Sequence, residues 1–302
     1  MNAAELPNRR VEAWKYSDLR AALPDVALPV VAPRPTHAWG ELDGVIDRLA
    51  LGQGRHGITK VRAGEEEILV ERLDDATPFA ASVREIQILP GGALTRIVTQ
   101  RSSDDVVLNA AHVSLSDGAR YRQIVLAEGA KLARIETHVS IEGEGAEVEL
   151  NGVYLCGAAR HADLTSVVEH KAPNCQTRQL IKGVARSRGR GVFQGKIVVE
   201  HGAQKTDARQ YHHGMLLEDG AEIFAKPELL IHADDVQCAH GNTAGGIDES
   251  ALFYLRSRGV PETQARGLLI GAFLAEAIPQ GLPQEINDEL MQRIRLWLGG
   301  AA

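Results

Sequence analysis

Five side chains able to bind metals or carry out acid–base and thiol chemistry lie close together in the C-terminal half of the chain. They follow the short apolar run from Leu229 to Ile231 and are His232, Asp234, Asp235, Cys238 and His240. Imidazole, thiolate and carboxylate groups at the end of a strand are donors that zinc, iron and iron–sulfur centres use. Their spacing matches neither a closed zinc site nor a ferredoxin-type run of cysteines, so the pattern alone leaves the chemistry open.

Cys238 and His240 are separated by one residue, which on a regular strand places both side chains on the same face. A neutral imidazole binds iron or zinc well, and an imidazolium at His240 would give the Cys238 thiol more thiolate character. The competing interpretation is a hydrogen-bonding histidine in the core beside a cysteine that packs as a small apolar residue. Asp234 and Asp235 are better explained as turn residues than as carboxylates that orient a histidine.

His212 and His213 form a second pair of interest. Adjacent residues on a strand point to opposite faces, so only one of the two can serve a given site while the other faces away. Cys156 and Cys175 fall in separate strand-like stretches, and we interpret both as structural. Three cysteines, an odd number without a C-x-x-C pair, indicate a reducing compartment, so we expect a cytoplasmic protein.

Composition excludes several classes of protein. The net charge of −7 and the scattered basic residues argue against nucleic acid as the main partner, because phosphate binding needs a concentrated basic surface. No apolar run approaches the ~20 residues that a membrane span needs, and no secretory signal is visible. The chain has no P-loop, so we expect it not to hydrolyse ATP, and no G-x-S-x-G or H-E-x-x-H motif.

The pattern along the chain predicts three regions. Residues 1–80 form a mixed region with a helix over 9–23, a proline-rich linker, a helix over 44–51 and a strand over 67–72. Residues 81–246 are short β runs separated by Gly-Ala turns, and only 4% of all residues are aromatic. This texture favours a β-solenoid with coils of uneven length and, less specifically, a sandwich or barrel.

Residues 247–302 are predicted to be helical. One helix runs over 248–258 and ends at Gly259, and a second begins near Pro261 and carries a wide apolar stripe that includes Phe273. After two further prolines, a third helix places four apolar residues on one face: Ile286, Leu290, Ile294 and Trp297. Three short helices cannot bury all of this surface among themselves, so we expect part of it to dock on the solenoid or on a partner.

Four motifs resemble one known family. They are Glu12-Ala-Trp-Lys-Tyr-Ser-Asp-Leu19, Lys226-Pro-Glu-Leu229, Ala233-Asp-Asp-Val-Gln-Cys-Ala-His-Gly241 and Phe253-Tyr-Leu-Arg-Ser-Arg-Gly259. Together they frame nearly the whole chain and resemble the SufB/SufD family of iron–sulfur cluster scaffold proteins. Within this family, SufB carries a functional cysteine in the corresponding region. This chain has no cysteine between Cys175 and Cys238, so it resembles SufD more than SufB.

The resemblance implies a right-handed parallel β-helix and a non-catalytic scaffold subunit of a cytosolic SUF complex. It implies pairing with a SufB-like chain through edge strands, and binding of a SufC-like ABC-type ATPase by the C-terminal helices. The ATPase-binding residues would be Phe253, Tyr254, Arg256, Arg258, Gly259 and Phe273. His240 would be the metal ligand, with Cys238 and His212 nearby, for iron or a cluster held transiently at the partner interface.

The resemblance implies no cofactor bound tightly by the isolated chain, and the sequence leaves open whether the chain forms a homodimer without its partner. The alternative function is a free-standing β-helix enzyme, metal-dependent or carbohydrate-active. It would use His232, Asp235 and His240.

Overall fold

The computed structural model describes residues 5–24, 36–37, 40–41, 44–74 and 77–299. After a 3₁₀ helix (Glu12–Trp14), the helices are α1 (Leu19–Ala22), α2 (Val45–Gly52), α3 (Glu249–Ser257), α4 (Glu262–Ala275) and α5 (Gln284–Gly299). The strands are β1 (Thr36–His37), β2 (Gly40–Glu41), β3 (His56–Val61), β4 (Glu66–Leu73), β5 (Phe79–Ile88), β6 (Ala93–Gln100), β7 (Val106–Leu115), β8 (Arg120–Ala127), β9 (Leu132–Ile141), β10 (Glu147–Cys156), β11 (His161–His170), β12 (Gln176–Ala185), β13 (Arg190–Val199), β14 (Asp207–Leu216), β15 (Glu222–Ile231) and β16 (Gln237–Gly245).

Strands β3 to β16 form a parallel β-solenoid, which confirms the predicted fold class. Odd-numbered strands make one seven-stranded sheet in the order β3 to β15, and even-numbered strands make another in the order β4 to β16. We call them the odd sheet and the even sheet. Every strand pairs in parallel with the strand two places along the chain, so each coil adds one strand to both sheets. The inner faces of the two sheets enclose an apolar core of mostly aliphatic side chains.

The Gly-Ala turns lie where the sequence predicts them. Gly118 and Gly145 have φ values of +61° and +70°, a region that an L side chain rarely adopts, and both lie in turns between strands. The turn glycines are unevenly spaced because most strands span ten residues while the connections between them differ in length. The true repeat is the whole coil: the register partners Val125, Gly152 and Ile181 are 27 and 29 residues apart.

Part of the outer face of each sheet is covered by other elements. The N-terminal residues and α2 bury an apolar cluster against the odd sheet, including Leu6, Trp14, Leu19 and Leu49. Helices α4 and α5 pack on the even sheet, where Leu290 and Ile294 are buried and Ile286 and Trp297 are partly buried. The apolar face predicted for the last helix therefore docks on the solenoid.

Two expectations for the N-terminal region need correction. The continuous helix predicted over 9–23 is wrong, because the structure has a 3₁₀ helix followed by the four-residue helix α1. The side chain of Asp18 caps the N-terminus of α1 by accepting a hydrogen bond from the Ala21 amide at 2.9 Å. The chain breaks here because Trp14 and Ser17 both turn inward and are buried. The solenoid also begins at His56, well before the boundary predicted at residue 81.

Among the residues that the structure describes, no helix is both long enough and apolar enough to cross a membrane.

Candidate functional site at the open end of the solenoid

The last coil of the solenoid has two free strand edges. Within the described residues, β15 pairs only with β13, and β16 pairs only with β14. The Gln237 amide donates to the Thr206 carbonyl at 2.8 Å, which points the backbone groups of odd-numbered residues in β16 toward β14. Because alternate residues of a strand bond to opposite neighbours, the backbone groups of Cys238, His240 and Asn242 point to the free edge.

These three residues also face the interior of the solenoid. Their register partners on β14 are Ala208, Gln210 and His212, all buried between the two sheets. The core ends after this coil, so the inner-face residues of β15 and β16 line an opening that we call the mouth. Its lining residues are Ile223, Ala225, Pro227, Leu229, Ile231, Cys238, His240, Asn242 and Ala244.

His240 lies in the middle of the mouth on β16 and is exposed. Its imidazole has no hydrogen-bond partner within the part of the chain that is described, so both ring nitrogens are accessible. Gln210, its register partner, donates from Nε2 across the interior to the Gly195 carbonyl at 3.3 Å. Since Pro227 is the register partner of Gly195, His240 and Pro227 face each other across the mouth. Two of the motifs found in the sequence therefore meet here.

Cys238 shares the inner face with His240, as the sequence predicts, and packs against the apolar core. Burial raises the pKa of its thiol above the usual value, although a backbone hydrogen bond from Ala208 opposes the shift. The expectation of increased thiolate character is therefore wrong for the isolated chain. Cys156 and Cys175 are buried and unpaired, consistent with structural roles, and burial raises the pKa of Cys156 to about 12.

His212 lies one coil behind the mouth and is only 1% exposed. Its ring stacks between Phe193, with centroids 5.3 Å apart, and Tyr154, with centroids 5.9 Å apart. Nε2 lies 2.9 Å from the Tyr154 hydroxyl, and Nδ1 lies 2.6 Å from Oδ1 of Asn242 on the edge strand. Burial lowers the pKa of His212 to about 4, so the ring is neutral at neutral pH. His213 points outward, to the Thr243 hydroxyl at 2.7 Å.

Glycines make room for the Tyr154 ring. Gly183 and Gly214 are its successive register partners, and Gly191 approaches the ring from the odd sheet. A Cβ atom at Gly183 would lie 1.8 Å from the ring, and one at Gly191 would lie 2.1 Å away. With no side chains in this space, Tyr154 leans along the solenoid axis and its hydroxyl reaches His212.

The N-terminal motif docks on the outside of the same end of the solenoid. Glu12 forms an ion pair with Lys226 at 2.6 Å, and Tyr16 stacks on Phe224 with centroids 5.2 Å apart. The motif at residues 12–19 therefore holds the outer face of β15, whose inner face lines the mouth. We call residues 12–17 the N-terminal clip.

A buried charge network anchors this clip. Arg134 lies with its guanidinium carbon 4.2 Å from the Trp14 ring centroid and donates to Glu136 at 2.5 Å and to Asp163 at 2.8 Å. The Ser17 hydroxyl donates to the same Asp163 carboxylate. Burial raises the pKa of Glu136, but Arg134 and His138 outweigh it, and the net effect lowers that pKa to about 2.

The residues predicted to bind an ATPase lie mainly on an exposed face of α3. Phe253 is 72% exposed and Tyr254 is 56% exposed, and the Arg258 guanidinium lies 5.2 Å from the Tyr254 ring centroid. Gly259 ends this helix with φ +86°, and Arg256 reaches Glu262 at 3.4 Å. Phe273 differs from the others because it is half-buried in α4, with the Lys182 ammonium 4.3 Å from its ring centroid.

The three residues of the alternative enzyme do not form a site. His232 follows β15 and lies beside His201, while Asp235 is in the turn before β16 and accepts the Lys205 amide through its backbone carbonyl at 2.6 Å. The described residues contain no group of three or more histidine, cysteine, aspartate or glutamate side chains placed to hold a metal ion.

Sequence reasoning missed Tyr154, Asn242 and the glycines beside the tyrosine, together with the contacts of the N-terminal clip. The coil-length repeat would have placed Tyr154, Gly183 and Gly214 in one row, and His212 beside Asn242 in the next. That repeat is hidden in the sequence because coil lengths vary.

Fold and site together define a class: a parallel β-solenoid protein whose chemistry-bearing side chains line an uncapped terminal coil. The family model described as "SUF system FeS cluster assembly, SufBD core domain" matches residues 48–273. The chain belongs to the SufBD family.

Curated relatives agree with this assignment. The iron–sulfur cluster assembly protein SufD of Escherichia coli is 32% identical over 241 residues, covering 76% of this chain and 56% of the relative. A SufBD family protein of Synechocystis is 35% identical over 204 residues, which cover 67% of this chain and 45% of the relative. One from Mycobacterium leprae is 29% identical over 301 residues, which cover 96% and 75%. The chain thus spans about half the length of the first two relatives.

Proposed function

We propose that this chain is a non-catalytic scaffold subunit in iron–sulfur cluster assembly. It pairs with a second, SufB-like chain of the same fold and presents His240 to iron or a nascent cluster at the junction. The observation that carries the proposal is the uncapped strand β16, which combines a free backbone edge with an accessible imidazole on its inner face. The names of the relatives support the cargo, since they describe proteins of iron–sulfur cluster assembly.

Pairing through the edge follows from the unused backbone donors and acceptors of β16. An added strand from a partner would satisfy them and would cover the apolar residues of the mouth at the same time. Once a partner is in place, His240 lies at the boundary between two solenoids instead of in solvent.

The cluster or iron is cargo and needs further ligands. Cys238 is the only thiol in the mouth, and its raised pKa keeps it protonated in the isolated chain. Iron–sulfur clusters are held mainly by thiolates, so the partner has to supply sulfur ligands while this chain contributes an imidazole. The isolated chain is accordingly expected to retain little iron.

The exposed aromatic face of α3 is the proposed docking surface for a SufC-like ABC-type ATPase. Phe253 and Tyr254 are large apolar side chains on a helix in which only Leu252 is buried. An aromatic surface of this kind marks a protein contact more often than a free surface.

Because all three cysteines are unpaired, a reducing cytoplasm suits the chain.

The test is co-expression with a SufB-like chain and a SufC-like ATPase, followed by affinity purification and iron and sulfide analysis. His240→Ala is expected to leave the complex intact and to lower bound iron and sulfide. Ala244→Pro removes an edge amide and is expected to weaken pairing at least tenfold, whereas Ala244→Ser keeps that amide and pairs normally. Recovery of a homodimer, or of the chain alone with tightly bound metal, would contradict the proposal.

A further inference from the structure

We propose that the side-chain amide of Asn242 is a second binding group of the mouth and donates N–H bonds to an anionic sulfur ligand held beside His240. The ligand class is sulfide, either free or as the bridging sulfur of a cluster. This inference rests on the proposed function and adds a residue and a ligand atom to it.

The first argument is the change in chemistry along one row of the even sheet. The row that contains Asn242 begins in the first coil with Glu71, whose carboxylate forms ion pairs with Arg84 and Arg96. It then runs through residues that are apolar or have no side chain: Val98, Val125, Gly152 and Ile181. It then continues with His212 and Asn242. Burying a polar group costs free energy unless it is hydrogen-bonded, and packing alone would be satisfied by another aliphatic residue. Apart from the ion-paired Glu71 in the first coil, polar side chains thus enter the row only in the last two coils.

The second argument is the direction of the hydrogen bonds that lead to Asn242. The Tyr154 hydroxyl is buried, and its one partner among the described residues is Nε2 of His212. It has to donate to that nitrogen, because otherwise its proton would have no acceptor in a dry interior. The imidazole proton of His212 is then on Nδ1, which donates to Oδ1 of Asn242.

This chain of donors fixes the orientation of the amide. With Oδ1 of Asn242 turned back toward His212, its NH₂ group is directed away from the interior. Asn242 is exposed, so two N–H donors are presented at the open end. His240 is two residues away on the same face of β16, about 7 Å along the strand, which is close enough for both side chains to contact one small cluster.

The third argument is the character of the mouth. Its inner-face residues include no carboxylate and no lysine or arginine, so the polar groups it offers are amide N–H donors, one thiol and one imidazole. Donors without a full positive charge suit a soft anion with diffuse charge better than a phosphate, which generally recruits arginine or lysine.

The experiment uses the purified complex with its partner chains, loaded anaerobically with ferrous iron and sodium sulfide as the probe. Asn242→Asp keeps the size of the side chain and can still accept from His212, but it turns a carboxylate oxygen outward in place of the N–H donors. We expect about tenfold faster loss of bound sulfide than in the wild-type complex, and a smaller effect for Asn242→Ala. Tyr154→Phe removes the donor that fixes His212, and its effect should lie between these two.

A second readout reports the bond itself. In D₂O the bridging Fe–S Raman bands of the wild-type complex should shift, and part of that shift should disappear in Asn242→Asp. The matched control is Gln237→Ala, an exposed residue of the same strand whose side chain lies on the outer face.

The outcomes separate the two proposals. If the wild-type complex assembles but takes up no iron and sulfide, the proposed function fails and the inference fails with it. If the wild-type complex loads normally and Asn242→Asp retains sulfide and the deuterium shift unchanged, the inference alone is overturned. Faster sulfide loss with an intact complex and an unaffected Gln237→Ala control supports it.

Discussion

Asp163→Asn should release the N-terminal clip from the solenoid. The Asp163 carboxylate is fully buried and accepts from four side chains: Arg134 at 2.8 Å, Gln194 at 3.2 Å, Thr165 at 2.9 Å and Ser17. Asparagine is isosteric and can keep the weaker contacts to Gln194 and Thr165. The change therefore isolates the loss of the negative charge that faces Arg134 and Ser17.

The size of the stability loss follows from the two hydrogen bonds, from Arg134 and Ser17, whose acceptor changes from a carboxylate to a neutral amide. Replacing a charged acceptor by a neutral one costs ~1 kcal/mol for each bond. Arg134 keeps Glu136 as a partner, yet its buried charge loses half of its compensation, and breaking a buried ion pair costs ~3–5 kcal/mol in general. We expect a loss of ~3 kcal/mol, at the lower end of that range, equivalent to a change of about a hundredfold in the folding equilibrium.

Two measurements check this expectation. Urea unfolding followed by tryptophan fluorescence reports the global change, and amide hydrogen exchange over residues 12–22 reports release of the clip. The matched control is Arg62→Gln, which removes an exposed ion pair to Glu65 whose partners are 79% and 48% exposed and should change stability by less than ~0.5 kcal/mol. If Asp163→Asn matched this control in both measurements, the reasoning about the buried carboxylate would be refuted.

Three further predictions concern pH, packing and thiol chemistry. Burial lowers the pKa of His170 to about 4, so the unfolded chain takes up a proton at this histidine before the folded chain does, and folding stability falls as the pH drops from about 6.5 toward 4. His170→Gln should reduce the fall in the urea midpoint across that pH range, and an unchanged slope would contradict this prediction. Gly183→Ala places a Cβ 1.8 Å from the Tyr154 ring and should destabilise by ~2 kcal/mol or more in thermal unfolding, unlike Gly245→Ala in open space. The raised pKa of Cys238 should make its alkylation by iodoacetamide at pH 7 slower than that of a free peptide cysteine, measured by mass spectrometry; a faster reaction would show a thiolate instead.

Local signals in the sequence favour a solenoid, with a sandwich or barrel left open, and predict the terminal helices, while the family resemblance adds the parallel β-helix. Glycine turns such as Gly118 and Gly145 are visible one by one, and the apolar face of α5 has the helical period. Neither needs knowledge of what lies across the core.

The contacts of the N-terminal clip could not be predicted in the same way. Ser17 and Asp163 are 146 residues apart, and Glu12 and Lys226 are 214 residues apart. Each residue taken alone is an ordinary polar side chain, and the helical period over residues 9–23 predicts a different structure. The helix does not form because the buried partners of Trp14 and Ser17 stabilise the docked segment more than a continuous helix would.

The position of Pro227 on β15 explains why a proline is tolerated in this strand. The amide of His232 donates to the Val199 carbonyl at 2.8 Å, so even-numbered residues of β15 bond to β13 and odd-numbered residues face the free edge. Proline at 227 therefore costs no hydrogen bond within the odd sheet, and it removes one donor from the edge of β15.

The two edges of the last coil consequently differ. The edge of β15 is interrupted at Pro227, opposite His240, whereas β16 contains no proline and offers an unbroken row of free backbone groups. An added strand can pair with β16 past Cys238, His240 and Asn242 without interruption. On β15 the same strand would lack a backbone donor at Pro227, opposite His240. For the proposed pairing with a second chain, this asymmetry favours the edge of β16, where a docked partner would lie directly beside the imidazole and the amide.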